Sequence, residues 1–147
     1  MSGSSGLASN ADRVALVDTS VAVAIVLADH EEHRETLAAV HGQRLGLAGH
    51  AWFETYSVLT RLPPRARRSP VVVRAMLEQG FPETRYLPSA EAASLVALLP
   101  ETGIAGGAVY DALVGAAARA AGLPLFSRDR RARPVYESLG VDLRLLV

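Results

Sequence analysis

The sequence predicts an α/β fold in which a mainly parallel sheet is covered by helices on both faces. Short apolar runs alternate with helical segments from VALV (Val14 to Val17) to DLRLLV (Asp142 to Val147). That alternation generates parallel strands joined by crossover helices. Half of the 147 residues are hydrophobic, so the chain can bury a substantial core. Its length suits one domain.

The elements follow in order. MSGSSGLASN is small and polar, and residues 1–12 are expected to form a flexible tail ahead of a domain spanning 13–147. VALV is β-branched and suits a buried strand. SVAVAIVLA and EEHRETLAAV read as two helices, the second amphipathic, with Gly42 as a stop signal. LGLA (Leu45 to Ala48) is the next strand. AWFETYSVLTRL is a helix halted by Pro63 and Pro64.

Ser69 followed by Pro70 supplies an N-cap and a first-turn proline for VVVRAMLEQG. RYL (Arg85 to Leu87) is expected as a further strand. Ser89 is expected to cap SAEAASLVALL, a helix ending at Pro100. A helix from Gly107 to Ala121 closes at Gly122. LPLFS is a strand, RRARPVYESLG a short helix and DLRLLV the last strand.

Composition excludes several function classes. There is no cysteine, hence no disulfide and no thiolate metal site. All 15 basic residues are arginine, which excludes any mechanism that needs a catalytic lysine. The formal net charge is zero, so overall charge points to no partner. No apolar run approaches bilayer length and no secretory pattern opens the chain, so no membrane association and a cytoplasmic location are expected. Arginines cluster at RLPPRARR (Arg61 to Arg68) and SRDRRAR (Ser127 to Arg133). Each cluster is either a phosphate contact or a solvated surface.

Four acids stand in unusual places. Asp18 and Asp129 follow strands, where each is either an N-cap or part of a site. Glu54 and Asp111 lie inside apolar helices, where a carboxylate is costly unless paired or bound to metal. Their alternative is a buried ion pair with Arg61, Arg119 or another arginine. Asp18, Asp129 and the start of the Glu54 helix all fall at the carboxyl edge of the sheet, where such folds bind ligands. Carboxylates gathered there repel unless neutralised, and Mg²⁺ or Mn²⁺ accepts such oxygen ligands. DHEEHRE falls one residue short of the HExxH zinc spacing and reads as a solvated helix face. Gly103, Gly106 and Gly107 fit no phosphate-loop pattern.

VALVDTSV, ETYSVLTRL, YDALVGAAA and LFSRDRR resemble the successive motifs of PIN-domain ribonucleases, and most of all the VapC toxins of bacterial toxin–antitoxin pairs. The resemblance runs from about Arg13 to the C-terminus. It implies a three-layer α/β/α sandwich and Mg²⁺- or Mn²⁺-dependent cleavage of RNA, with one or two ions per site. It places the acidic quartet on Asp18, Glu54, Asp111 and Asp129, with Ser127 and Ser20 in supporting polar positions. Arg61, Arg128 and Arg130 become candidate RNA contacts, with Arg128 and Arg130 pointing outward to phosphate. The resemblance also implies a homodimer and a cognate VapB-like antitoxin; because guanidinium groups pair with carboxylates, that partner is expected to bring an Arg or Lys up to the quartet.

Rival readings have weaker support. A receiver-like phosphoacceptor domain wants paired acids after the first strand and a late lysine, and both are missing. A phosphatase-like nucleophile wants a second aspartate two positions after Asp18, where this chain has Ser20. A PIN fold that only binds RNA or a partner is the remaining alternative.

Overall fold

The structure, a computed structural model, describes residues 13–147. The expected tail at 1–12 lies outside the described residues. The strands are β1 (Arg13–Val17), β2 (Gln43–Leu47), β3 (Leu125–Ser127) and β4 (Leu143–Leu145). They form one sheet in the order β2-β1-β3-β4, and every pairing is parallel. The helices are α1 (Thr19–Val26), α2 (His33–Ala39), α3 (Ala51–Thr60), α4 (Pro70–Gly80), α5 (Ser89–Thr102), α6 (Ala108–Ala121) and α7 (Arg133–Ser138). None is long and apolar enough to cross a membrane.

β1 is central, and Ala15, Leu16 and Val17 are wholly buried. They join Val21, Leu47, Leu59, Leu77, Val114 and Leu125 in the main core. A strand buried on both faces has no polar side to present, which is why VALV is apolar throughout. α6 packs through Ala112, Gly115, Ala116, Ala117 and Ala118, whose small side chains let its backbone lie close to its neighbours. A second cluster of Leu95, Ala112, Ala116 and Leu139 ties α5 to the same helix.

Three local expectations are corrected. RYL is not a strand: the segment makes isolated bridges, Pro82 with Gly46 of β2 and Arg85 with Ala48 just beyond it. Pro82 has no N–H to give, and the Thr84 hydroxyl takes the Leu47 N–H at 3.0 Å, interrupting a regular ladder. The approach is close enough that a Cβ on Gly46 would lie 2.1 Å from the Glu83 carbonyl. Ser89 is the first residue of α5 rather than its cap, a place held by Pro88. α5 also continues through Pro100 to Thr102, ending on Gly103 in the left-handed region. Pro100 forfeits one hydrogen bond to the Val96 turn, and that turn faces water, with Val96 68% exposed.

This topology defines a cleft. Chain connections leave β1 towards β2 and later return to β1's other side as β3, so the carboxyl ends of β1 and β3 flank a switch point. In a parallel sheet the crossover helices run against the strands. The N-termini of α3 and α6 therefore face the same edge.

Candidate active site

Asp18 leaves the end of β1 in extended conformation and caps α1, its Oδ1 accepting the Val21 N–H at 3.3 Å. The cap geometry and the turn into the cleft are thus one conformation. The carboxylate is buried and accepts three hydroxyls: Ser20 on Oδ1 at 2.6 Å, and Ser127 and Tyr136 on Oδ2 at 2.5 and 3.0 Å. Burial pushes its pKa up, and the bonds from Ser127, Ser20 and Tyr136 oppose that rise. Burial and the adjacent Asp18 hold the Tyr136 hydroxyl far above its usual range, so it remains a donor.

The two serines also tie the strand ends together. Ser127 Oγ accepts the Asp129 N–H at 3.0 Å, and Ser20 Oγ accepts the Arg128 N–H at 2.9 Å. Asp18 is in this way fixed to the loop that carries Asp129. Gly115 on α6 makes room for Tyr136, since a Cβ there would sit 3.0 Å from the tyrosine ring.

Glu54 and Asp111 both lie in the first turn of their helices, where the helix dipole favours a negative charge. Glu54 accepts the Thr19 hydroxyl at 3.3 Å. Burial raises its pKa, His50 opposes, and Asp111 and Asp18 add to the rise. Burial likewise raises Asp111, with Arg131 opposing and Asp129 adding. Among the described residues neither acid pairs with Arg61 or Arg119; Arg119 instead donates to the Leu139 carbonyl at 3.4 Å.

All four acids line one small cleft together with Thr19, Ser20, Arg131 and Tyr136. The carboxylates share a pocket in which three of them have raised pKa values, a donor set suited to a hard divalent cation. Among the described residues, no three His, Asp or Glu side chains already converge tightly enough to cage an ion. The Arg131 guanidinium bridges two of the acids, donating to Asp111 at 3.2 Å and to Asp129 at 3.0 Å and offsetting part of their charge.

The arginines depart from expectation. Arg128 does not point outward: it folds back to Glu32 at 2.7 Å and Thr36 at 3.2 Å, with its side chain only 13% exposed. The cause lies in DHEEHRE, which supplies that acid instead of a wholly solvated face. Arg130 and Arg61 are exposed. Asp129 is not the cap of α7; its Oδ1 accepts the Arg131 N–H at 3.0 Å, an Asx turn.

The PIN-domain family model matches residues 15–137. The chain belongs to the PIN-domain family. Within it, ribonuclease VapC27 of Mycobacterium tuberculosis is 42% identical over 127 residues, covering 86% of this chain and 93% of that protein. Ribonuclease VapC40 of the same species is 46% identical over 132 residues, covering 88% and 96%. This PIN domain is therefore a VapC homologue. Among solved structures, VapBC2 from Rickettsia felis, bound to a DNA fragment from its promoter, shares the fold with a TM-score of 0.64 at 11% identity. That match covers 91% of this chain and 99% of the other. VapC20 of M. tuberculosis, a Sarcin-Ricin loop cleaving toxin, gives 0.63 at 20% identity, covering 89% and 98%. At these identities the likeness is one of fold.

Tyr136 and Thr19 carry no site signal in the sequence, and Arg131 enters there only as a member of the SRDRRAR cluster. Tyr136 lacks any motif neighbour and reads as an ordinary helix aromatic. Thr19 sits inside DTS but has no obvious partner 35 residues away. Arg131 did carry a signal: an Asx turn folds the residue two after an aspartate back towards its carboxylate.

Proposed function

We propose that this PIN domain, spanning residues 13–147, is a metal-dependent endoribonuclease acting as the toxin of a toxin–antitoxin pair. The supporting observation is the gathering of Asp18, Glu54, Asp111 and Asp129 in one cleft at the carboxyl edge of the sheet. The ribonuclease names of its relatives support RNA as the substrate.

Asp18, Glu54, Asp111 and Asp129 would hold one or two Mg²⁺ or Mn²⁺ ions. When bound, such an ion supplies Lewis acidity and an activated water for phosphodiester hydrolysis. The chain's own residues do the positioning. Ser127, Ser20 and Tyr136 fix the Asp18 carboxylate with both oxygens engaged. Thr19 steadies Glu54. Arg130 and Arg61 are exposed near the arginine-rich segments and are available to RNA phosphates. Arg128 has no such role, because Glu32 and Thr36 hold it.

A nuclease of this kind acts in the cytoplasm and needs restraint, which a VapB-like antitoxin supplies. The names VapBC2 and VapBC-5, the latter described as belonging to toxin–antitoxin systems, support such a partner. A cationic antitoxin side chain near the quartet would compete for the carboxylates that Arg131 now bridges. A homodimer completes the assembly.

Sequencing RNA 5′ ends after a pulse of expression tests the function. The wild type is expected to create new, discrete ends and slow growth, and co-expression of the small neighbouring reading frame is expected to suppress both. Ends indistinguishable from those of an Asp18→Asn strain would reject the nuclease reading. Cleavage without growth arrest or antitoxin rescue would reject the toxin reading alone.

A further inference from the structure

The chain is poor in aromatics, at 5% of residues, yet Phe53, Tyr86 and Tyr110 are all more than half exposed. They are not scattered. Tyr86 meets Phe53 at a centroid distance of 6.3 Å, Phe53 meets His50 at 6.4 Å, and His50 stacks on Tyr110 at 5.2 Å with the rings 19° apart. His50, Phe53 and Tyr110 lie at the N-terminal ends of α3 and α6, which also carry Glu54 and Asp111, and Tyr86 joins them from the segment between α4 and α5.

A groove of about 360 Å³ opens here, lined by Thr19, His50, Phe53, Glu54, Ser57 and Arg61, among others. Thr19 and Glu54 also line the acidic cleft, so the two spaces adjoin at these side chains. Glu54, Ser57 and Arg61 follow one face of α3 at helical spacing, which puts Arg61 about 10 Å along the axis from Glu54. Arg61 forms no ion pair among the described residues. The groove thus offers an acidic end, an aromatic side and a free guanidinium at the far end.

That order matches one nucleotide. Unpaired bases stack on exposed aromatic rings, and guanidinium groups take phosphates bidentately. The volume falls in the range of small-ligand sites. A subunit interface fits less well, because its centre would bury Glu54 and Arg61, and interface cores are depleted of charge. We infer that this groove is a subsite for one unpaired nucleotide of the RNA, flanking the scissile phosphate. Its base stacks beside Phe53 and the His50–Tyr110 pair, and its phosphate meets Arg61. The inference rests on the nuclease reading and adds which residues of this chain hold the nucleotide beside the cut.

The test is cleavage kinetics on a degenerate single-stranded RNA pool in Mn²⁺, comparing the wild type with Phe53→Ala and Phe53→Trp, with thermal melting and light scattering on each. Phe53→Ala is expected to raise KM roughly tenfold with kcat nearly unchanged, the scale of losing one base stack. Phe53→Trp is expected to keep the wild-type KM. Fluorescence anisotropy of the same pool on Asp18→Asn protein should show a matching loss of affinity when Phe53→Ala is added. Unchanged KM in a folded, cleaving Phe53→Ala protein would overturn the subsite. So would a KM change that merely tracks dissociation of a dimer in light scattering. No cleavage by the wild type in Mg²⁺ or Mn²⁺ would instead overturn the nuclease reading, and this inference with it.

Discussion

The guanidinium of Arg131 lies 3.0 Å from the Asp129 carboxylate and also reaches Asp111 at 3.2 Å, so one side chain of this protein occupies the position of a counter-ion between two acids of its own cleft. An ion binding to Asp111 and Asp129 has to displace it. The Arg131 side chain is 69% exposed, so water screens the pairs and the competition is modest. Arg131→Ala is expected to bind Mn²⁺ more tightly, by roughly two- to fivefold. Titration calorimetry of both proteins measures this, and equal affinities would show that Arg131 does not compete.

Asp18 is buried, and burial raises its pKa. A carboxyl whose folded pKa lies above its unfolded value binds protons more readily in the native state. Stability is then full at low pH and falls as pH rises through the usual carboxylate range towards the raised value. Glu54 and Asp111 act in the same direction. Asp18→Asn removes the ionisation at that position. Without metal, the variant is expected to melt a few degrees above the wild type at neutral pH, with the gap closing in mild acid. A gap that widens as pH falls would contradict the sign.

Tyr136 donates to Asp18 Oδ2 and opposes the effect of burial. Removing the hydroxyl leaves Asp18 harder to ionise. Tyr136→Phe is expected to move the acidic limb of the pH–rate profile upward, while activity recovers at higher pH. A uniform loss at all pH values would mean that the hydroxyl acts otherwise than through Asp18.

Gly115 admits the Tyr136 ring, and a Cβ there would press on it at 3.0 Å. Alanine favours a helix by about 1 kcal/mol over glycine, which offsets part of the crowding. Gly115→Ala is therefore expected to change the melting temperature little and to cut cleavage severalfold, by moving the phenol from Asp18. A variant with full activity would show that the ring has room to shift.

The strands, the order of the elements and the four acids were legible in the sequence because each follows a one-dimensional rule. VALV is apolar because β1 is buried on both faces, and Asp18 follows β1 directly while Asp129 lies just beyond the end of β3, after Arg128. Glu54 and Asp111 stand out as charges in apolar helices. What escaped depends on contacts between distant segments. RYL has strand-like residues, but Thr84 and Pro82 break the ladder with β2. Pro100 looks like a helix stop, yet a solvent-facing last turn tolerates it. Arg128 and Arg131 are chemically identical neighbours in one cluster. Glu32 draws Arg128 away from the quartet, whereas Asp111, together with the local turn at Asp129, draws Arg131 to it.

The most direct measurement is RNA cleavage by purified wild type and Asp18→Asn protein, each with Mg²⁺, with Mn²⁺ and with chelator. The wild type is expected to cut only with metal, and Asp18→Asn to be folded but inert in every condition. Full cleavage in chelator, or by folded Asp18→Asn protein, would contradict a metal-dependent nuclease built on the acidic cleft.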